Sequence, residues 1–502
     1  MLVWTHLRAQ AGSLRSPFLD PKRAQKPRLN LRTVMAPLLD ARRRGKSLPP
    51  DEPILAELFS VERLEQHART LAVAQTVTDT PYRGPDILPR VAENGRILLE
   101  AYRVLASAIK EERSITPAAE WLVDNFHVVD EQVREIRDDL PHDYYWKLPK
   151  LAEGHLEGYP RVLGLAWAYI AHTDSRFDPD SLLRMVRAYQ QVQPLTLGEL
   201  WAIAISLRIL LVDNLRRLAE QIVRSRAARQ QADEIADGLL GLTEGTSEDT
   251  AAFLRRRPGA YLPTAAKVQL FQRMRDQDPA QTPGLRWLET VVAAEGTTAE
   301  EMVRLEHQRQ ATMNVTVRNV ITSMRLISWF DWAQFVESVS LVDGELRASG
   351  LFAEMDFATR DRYRHAIEEL AQGSRKGEVE VARAAVAMAG AAPVDAATPS
   401  VAARLRDPGY YLVSDGRPEF ERHIGVRVPF RWRLRRAFVC RATGGYLGTL
   451  AASTALIVAA PLLLSGVADG VHLGALLVAL FALGPASDLA MALVNRAVTS
   501  LL

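Results

Sequence analysis

The stretch from Tyr446 to Ala468, YLGTLAASTALIVAAPLLLSGVA, decides how the rest of the chain is read. No charged side chain occurs between residues 442 and 468. About 20 consecutive apolar residues suffice for a helix to cross a hydrocarbon layer ~30 Å thick. A second run follows from Val471 to Val494, VHLGALLVALFALGPASDLAMALV, apolar except for His472 at its mouth and Asp488 within. The joint at Asp469-Gly470 leaves room only for a tight turn. Two antiparallel transmembrane helices, about 446–468 and 471–494, are therefore expected. The alternative is a buried hairpin of a soluble protein, but core helices rarely run so long without a charge.

Working outward, the flanks give an orientation. Arg422, Arg427, Arg431, Arg433, Arg435, Arg436 and Arg441 precede the first span with no acid among them, and Arg496 follows the second. The turn carries only Asp469. The bias of basic residues toward the cytoplasm places both termini there, as in a multi-pass membrane protein. Phe430, Trp432, Leu434 and Phe438 interleave with the arginines, so this stretch is expected to lie along lipid headgroups before turning in. Pro461 and Pro485 sit inside the spans, where neighbouring groups can satisfy the carbonyls they free. Asp488 is the one costly residue there. An acid there is a functional candidate by default; the simpler account is that it lies near the cytoplasmic end and is hydrated, or pairs with a basic residue of another span.

The net charge of +2 over 502 residues conceals an uneven distribution. Residues 1–50 carry eleven Lys and Arg against Asp20 and Asp40, and residues 416–441 carry eight Arg against Glu419 and Glu421. An acidic body is thus flanked by two basic ends. A basic segment abutting a hydrophobic run favours the lipid bilayer over nucleic acid as partner. A single cysteine, Cys440, excludes an intramolecular disulfide framework and a multi-cysteine metal site. Residues 1–34 lack the apolar centre of a secretory signal and read as a disordered basic arm. The expected organisation is that arm, an irregular cytoplasmic α-helical domain over 35–389, a linker at 390–400, a basic juxtamembrane segment over 401–441, and the membrane hairpin over 442–502.

The fold class read from the body is mainly α. Thr116-Pro117 opens a helix with a cap residue and a proline at the first position. Trp121, Leu122, Asn125 and Val128 or Val129 then share a side. Thr196-Leu197-Gly198-Glu199 is a capping-box pattern, followed by Leu200, Ile203, Leu207, Leu210, Leu211 and Leu215 at helical spacing. Thr298-Ala299-Glu300-Glu301 is another, opening a long segment with Met302, Leu305, Met313, Val317, Val320, Met324 and Ile327 and interrupted by Arg309. Asp331 to Gln334 caps a shorter helix expected to end near Gly344. The best strand candidate is Tyr410-Tyr411-Leu412-Val413, between Asp407-Pro408-Gly409 and Asp415-Gly416. Residues 241–264 read as loop.

The common nucleotide and hydrolase motifs do not occur, so no catalytic, cofactor-binding or metal residue is assigned. Asp178-Pro179-Asp180 and Asp276-Gln277-Asp278 have the spacing by which two carboxylates share a hard cation. Each lies in a polar loop and not after an apolar strand, and Asp180-Ser181 reads as a cap for the helix from Leu182, so caps and turns are the simpler account. Glu120 and Asp124 lie one helical turn apart near His127, an arrangement suited to acid and base roles and equally to a solvated face. His127, His142, His155 and His172 lack a zinc spacing. His142-Asp143-Tyr144-Tyr145-Trp146 has the composition of a sugar-stacking platform, or of a loop packed on a core.

Longer stretches carry more. EWLVDNFHVVDEQVREIRDDLP at 120–141, YYWKLPKL at 144–151 and YPRVLGLAWAYIAHTDSRFD at 159–178 resemble, in order, the N-terminal region of bacterial cyclic β-1,2-glucan synthases. So do PLTLGELWAIAISLRILLVDNLRRLAE at 194–220, MDFATRDRYRHAIEELA at 355–371 and DPGYYLVSDGRPEFE at 407–421. The resemblance implies part of a large inner-membrane enzyme whose glycosyltransferase domain takes UDP-glucose, with a divalent metal, to build a β-1,2-linked glucan on the protein itself. Further domains would cyclise the glucan and set its length by phosphorolysis. In such proteins the transferase domain follows a membrane pair of this kind. The chain is accordingly expected to be a truncated product, a split subunit or part of an interrupted gene, with UDP-glucose and metal belonging to the transferase domain alone.

Three roles are weighed: a non-catalytic portion of a glucan synthase that contacts other spans or the transferase portion, a stand-alone membrane-anchored interaction protein, and an enzyme using Glu120 and Asp124 or the loop carboxylates. The orientation is directly testable. A reporter enzyme active only outside the cytoplasm, fused after Leu502, is expected to stay silent, and activity from it would rule out the two-span arrangement.

Overall fold

The computed structural model describes residues 52–78, 86–140, 145, 147–239, 262–275, 283–392, 399–427, 442–464 and 473–501. The expected arm at 1–34, the Asp276–Asp278 pair, most of the 241–264 loop, the arginine-rich stretch from 428 to 441 and the Asp469-Gly470 turn lie outside those residues. The chain divides into two compact units, with the boundary between Glu345 and Leu346.

The first unit is built from α1 (Val61–Ala74), α2 (Ile87–Lys110), α3 (Pro117–Asp124), α4 (Phe126–Asp139), α5 (Arg161–His172) and α6 (Pro179–Gln190). It continues through α7 (Leu197–Leu239), α8 (Thr264–Met274), α9 (Pro283–Ala294), α10 (Ala299–Trp329), α11 (Trp332–Val339) and α12 (Leu341–Arg347), which crosses the boundary. Two short strands, β1 (Val77–Thr78) and β2 (Lys150–Leu151), pair antiparallel with Val77 opposite Leu151.

Seven helices of this unit pack on α7. At 43 residues it is about 65 Å long. Its capping box forms as read: the Glu199 amide donates to Thr196 Oγ1 (3.2 Å), and the Thr196 amide donates to Glu199 Oε2 (2.9 Å). The expected stripe of Leu200, Ile203, Leu207, Leu210, Leu211 and Leu215 is buried, but so are Ile209, Val212, Leu218 and Ala219 on the other sides. The first half of α7 is therefore enclosed all round, which is what apolar residues on every face require. It packs on α2, α3, α4, α5, α10 and α11. The second half contributes Ala228, Ala232, Ile235 and Ala236 to a separate, smaller core with α8 and α9. One helix thus runs through both cores.

Two helices break where the sequence suggested continuity. Between α3 and α4, Asn125 leaves helical geometry (φ −111°, ψ 16°), donates from Nδ2 to the Trp121 carbonyl (2.8 Å) and accepts from Arg325 Nη2 (2.5 Å). The helix expected to reach Gly344 stops at Ser340, whose hydroxyl accepts the Asp343 amide (3.1 Å) and so caps α12. A polar side chain that bonds its neighbouring backbone offers an alternative to the helical ladder in both places.

The second unit holds α13 (Phe357–Gly373), α14 (Glu378–Gly390), α15 (Pro399–Leu405), α16 (Pro408–Val413), α17 (Arg417–Ile424) and the membrane pair α18 (Ala442–Leu464) and α19 (Leu473–Leu501). The expected linker at 390–400 begins on the last residue of α14 and ends on the first two of α15, with residues 393–398 outside the described set. The expected strand at Tyr410–Val413 is wrong, because these residues belong to α16. Asp407 caps that helix by accepting the Gly409 amide (2.9 Å), Pro408 fills its first position, and Tyr411 and Leu412 are buried. Local cap chemistry and packing against α13 and α14 outweigh the strand preference of the tyrosines and valine.

Gly409 is fixed by a close approach. The Tyr363 hydroxyl donates to both Asp407 carboxylate oxygens (3.1 and 3.0 Å), and a Cβ on Gly409 would lie 1.8 Å from that hydroxyl and 2.2 Å from Cζ. Tyr363 is buried and cannot swing aside. Gly409→Ala is therefore expected to destabilise the second unit by about 1–3 kcal/mol, the usual cost of overpacking. Urea unfolding of the detergent-solubilised chain checks this, and an unchanged midpoint would contradict the packing described.

Candidate functional site

Among the described residues, the acids singled out by spacing do not converge. Glu120, Asp124 and His127 are all exposed, on α3 and the start of α4. In the Asp178-Pro179-Asp180 pair, Asp178 is a helix cap: its Oδ2 accepts the Ser181 amide (3.0 Å) and Pro179 begins α6. The cap is thus Asp178 and not Asp180, which sits in the first turn. Among the described residues, no group of three or more His, Cys, Asp or Glu side chains could hold a metal ion. His155 is exposed, while His172 stacks on Phe59 (centroids 3.8 Å, planes 8° apart) with Nδ1 2.7 Å from the Glu57 carbonyl. His67 meets both rings edge-on, and burial and the neighbouring His172 hold its imidazole below the usual range. Of the His142–Trp146 run only Tyr145 is described, and it is buried.

The dense chemistry lies inside the first unit, at positions that form no recognisable motif. Asp213 of α7 is 1% exposed and is surrounded by donors. Its Oδ1 accepts from Arg90 Nε (3.2 Å), Arg90 Nη2 (2.8 Å) and Asn94 Nδ2 (3.1 Å), all from α2. Its Oδ2 accepts from Arg217 Nε (2.8 Å), one turn along α7. Arg217 also donates through Nη1 to the Glu52 carbonyl (2.8 Å) and stands over the Trp167 ring (5.4 Å). Burial alone would push the Asp213 carboxyl up, but Arg90, Arg217 and Arg216 together hold it below the usual carboxylate range. Next to it, Arg216 donates to Glu220 (2.8 Å).

A second buried pair closes the start of α7. Arg161 forks onto Glu199 through Nε (2.9 Å) and Nη2 (2.6 Å), and donates further to Gln193 Oε1 (2.9 Å) and the Pro194 carbonyl (3.1 Å). Glu199 therefore completes the capping box and neutralises a buried guanidinium at once. The third cluster fixes the turn between α5 and α6, where Asp174 and Ser175 both take positive φ (51° and 59°). Such non-glycine geometry costs on the order of 1–3 kcal/mol per residue and persists only if the surroundings impose it. Here Thr316 Oγ1 (2.6 Å) and Asn319 Nδ2 (2.9 Å) donate to the Asp174 carboxylate, Asn214 Nδ2 donates to Ser175 Oγ (2.9 Å), and Ser323 Oγ donates to the Ser175 carbonyl (2.8 Å). These clusters are hydrogen-bonded and enclosed, so what they do is hold α2, α5, α7 and α10 in register.

The membrane helices form the other functional element. Windows Thr443–Ala460 and Leu477–Arg496 have mean hydropathy 1.3 and 1.9 and are only 6% and 17% buried, unlike the core helices of a soluble fold. The pair is antiparallel, with Tyr446 Oη donating to Asn495 Oδ1 (2.9 Å). Small residues make the contact: Ala486, Ala490 and Val494 are buried on α19, and Thr454 on α18. Pro485 interrupts the α19 ladder, and the Ser487 hydroxyl bonds the Gly484 carbonyl (2.8 Å) beside it. Asp488 lies two residues from both Ala486 and Ala490, roughly 200° around the helix from the contact, and is exposed.

The chain is similar to the cyclic beta-(1,2)-glucan synthase NdvB of Rhizobium meliloti, with 36% identity over 383 residues, which is 76% of this chain. It spans only 13% of that protein's length. No family model matches the chain. The resemblance read from the long collinear stretches is thereby borne out, and with the two apolar helices it places the chain among membrane-associated, synthase-related proteins.

The Asp213 cluster makes a measurable demand on pH. A carboxyl held below its unfolded value contributes stability that is present above about pH 4, the ordinary aspartate pKa, and is lost as pH falls through the lower folded value. Asp213→Asn removes one partner of a buried pair and is expected to cost about 3–5 kcal/mol at neutral pH. The deficit relative to the parent should shrink below about pH 4. Urea unfolding followed by tryptophan fluorescence at pH 7 and pH 3 checks this, and a deficit independent of pH would contradict it.

Proposed function

We propose that this chain supplies the membrane-anchoring and cytoplasmic helical portion of a cyclic β-1,2-glucan synthase and is itself non-catalytic. The observation that carries the reading is the 36% identity to a synthase over 383 residues, joined in one chain to two exposed apolar helices. The parent reaction would be glucosyl transfer from UDP-glucose to a growing β-1,2-glucan, with sugar nucleotide and divalent metal held by the transferase portion. The non-catalytic assignment is supported by the described candidate acids, of which Asp178 caps a helix and Glu120 and Asp124 face solvent.

The outward face of α19 supports contact with further spans. A carboxylate on the lipid-facing side of a helix costs about 2.5–3.5 kcal/mol at the bilayer centre. Asp488 points away from α18, so the pair alone leaves that cost unrelieved. A donor on another transmembrane helix of the synthase would relieve it. In this reading both termini are cytoplasmic, the membrane is the bacterial inner membrane, and the acidic body orients the transferase portion of the synthase.

Two measurements test this together. The purified chain incubated with labelled UDP-glucose and magnesium is expected to incorporate no sugar, and incorporation would overturn the non-catalytic assignment. Co-expressed with the transferase portion of a synthase in cells lacking the enzyme, the chain is expected to co-purify with it and restore cyclic glucan. Asp488→Leu should weaken that association, and failure of the parent chain to associate would sink the anchoring role.

A further inference from the structure

The second unit carries a cavity of about 740 Å³ between the ends of α13 and α17, built wholly of described residues. Its floor is apolar, from Leu370, Ile424 and Val426, and Arg375, Lys376 and Arg427 line it as well. Arg417, also in the lining, is committed to Glu369 (2.8 Å) and Glu421 (3.1 Å). Among the described residues, none of Arg375, Lys376 and Arg427 makes an ion pair. The Arg427 amide donates to the Gly373 carbonyl (2.8 Å), tying the end of α13 to the chain that follows α17.

The charge balance decides what the cavity fits. The C-termini of α13 and α17 border it, and so do the N-termini of α14 and α17, so the helix-end charges cancel. Four positive side chains then stand against two glutamates, an excess of two. That excess suits an anion, and the apolar floor suits the carbon backbone attached to a phosphodiester. Position points the same way. Fourteen residues separate Arg427 from Ala442, the first residue of α18, so the cavity lies within about 50 Å of the membrane helix. Five of those fourteen are arginines and none is acidic.

We propose that this cavity binds the phosphodiester headgroup of an anionic phospholipid, with Arg375, Lys376 and Arg427 as the phosphate contacts. The site rests on the membrane association of the chain and not on its part in glucan synthesis, so the two readings fail separately.

The test is hydrogen exchange on the full chain in detergent micelles, titrated with phosphatidylglycerol, phosphatidylcholine or inorganic phosphate. Phosphatidylglycerol is expected to slow exchange saturably at residues 373–377 and 424–427, while phosphatidylcholine leaves it unchanged. Arg375→Gln/Lys376→Gln/Arg427→Gln should weaken that protection about tenfold or more. The charge-conserving Arg375→Lys/Lys376→Arg/Arg427→Lys should retain most of it. Equal protection by phosphatidylcholine, or protection that survives the glutamine changes, would overturn the proposal. So would a conservative variant that loses as much as the neutral one, since the effect would then be structural. Protection by inorganic phosphate without any by phosphatidylglycerol would assign the cavity to a free anion and reject the lipid.

Discussion

A charge that leaves water must find its complement inside the protein, and the first unit is organised by that requirement. Residues 213 to 220 of α7 present Asp213, Arg216, Arg217 and Glu220 at positions 1–6% exposed, in the middle of an otherwise aliphatic helix. An isolated charge there would cost several kcal/mol after relaxation. The chain answers by bringing Arg90 and Asn94 from α2 and a backbone carbonyl from the segment before α1 to the same place. Apolar contact makes the unit compact without choosing among registers, whereas these bonds can be made in one register alone. The Arg161–Glu199 fork and the pinned Asp174-Ser175 turn extend the same selection to α5, α6 and α10.

Much of the helical outline was legible in the sequence because it is written in local chemistry. The caps at Thr196, Thr298 and Asp331, the proline at position 117 and the apolar run of the membrane pair all act within a few residues of where they are read. The buried network was not legible, for a physical reason. Asp213 and Arg217 at a spacing of four look like a solvated helical pair, and only the fold reveals that α2 and α5 cover them. Glu199 was recognised for its cap and not for its guanidinium, which comes from a residue 38 positions earlier. The helix at Tyr410–Val413 was misread because a short aromatic and β-branched run favours a strand until its Asp-Pro cap and buried face are counted.

The membrane pair follows a different economy of contacts. Its helices meet through alanines and a threonine, and most of its large apolar side chains face outward, among them Phe481 at 80% exposed. Such a pair is stabilised by the medium around it more than by its own interface. Tyr446 and Asn495 add a polar contact at one end, where water and headgroups begin.

The continuity of α7 through two cores gives the first unit a direction of failure. The small core with α8 and α9 is held on the far end of a helix whose near end is locked by the charged clusters. It can open by fraying α7 backward from Leu239 while the large core stays closed. The reverse is disfavoured, since loosening residues 200–223 removes one of the two supports, α7 and α10, on which the small core rests. Partial unfolding in this molecule is therefore hierarchical, and the distal module is the part that can come and go on its own.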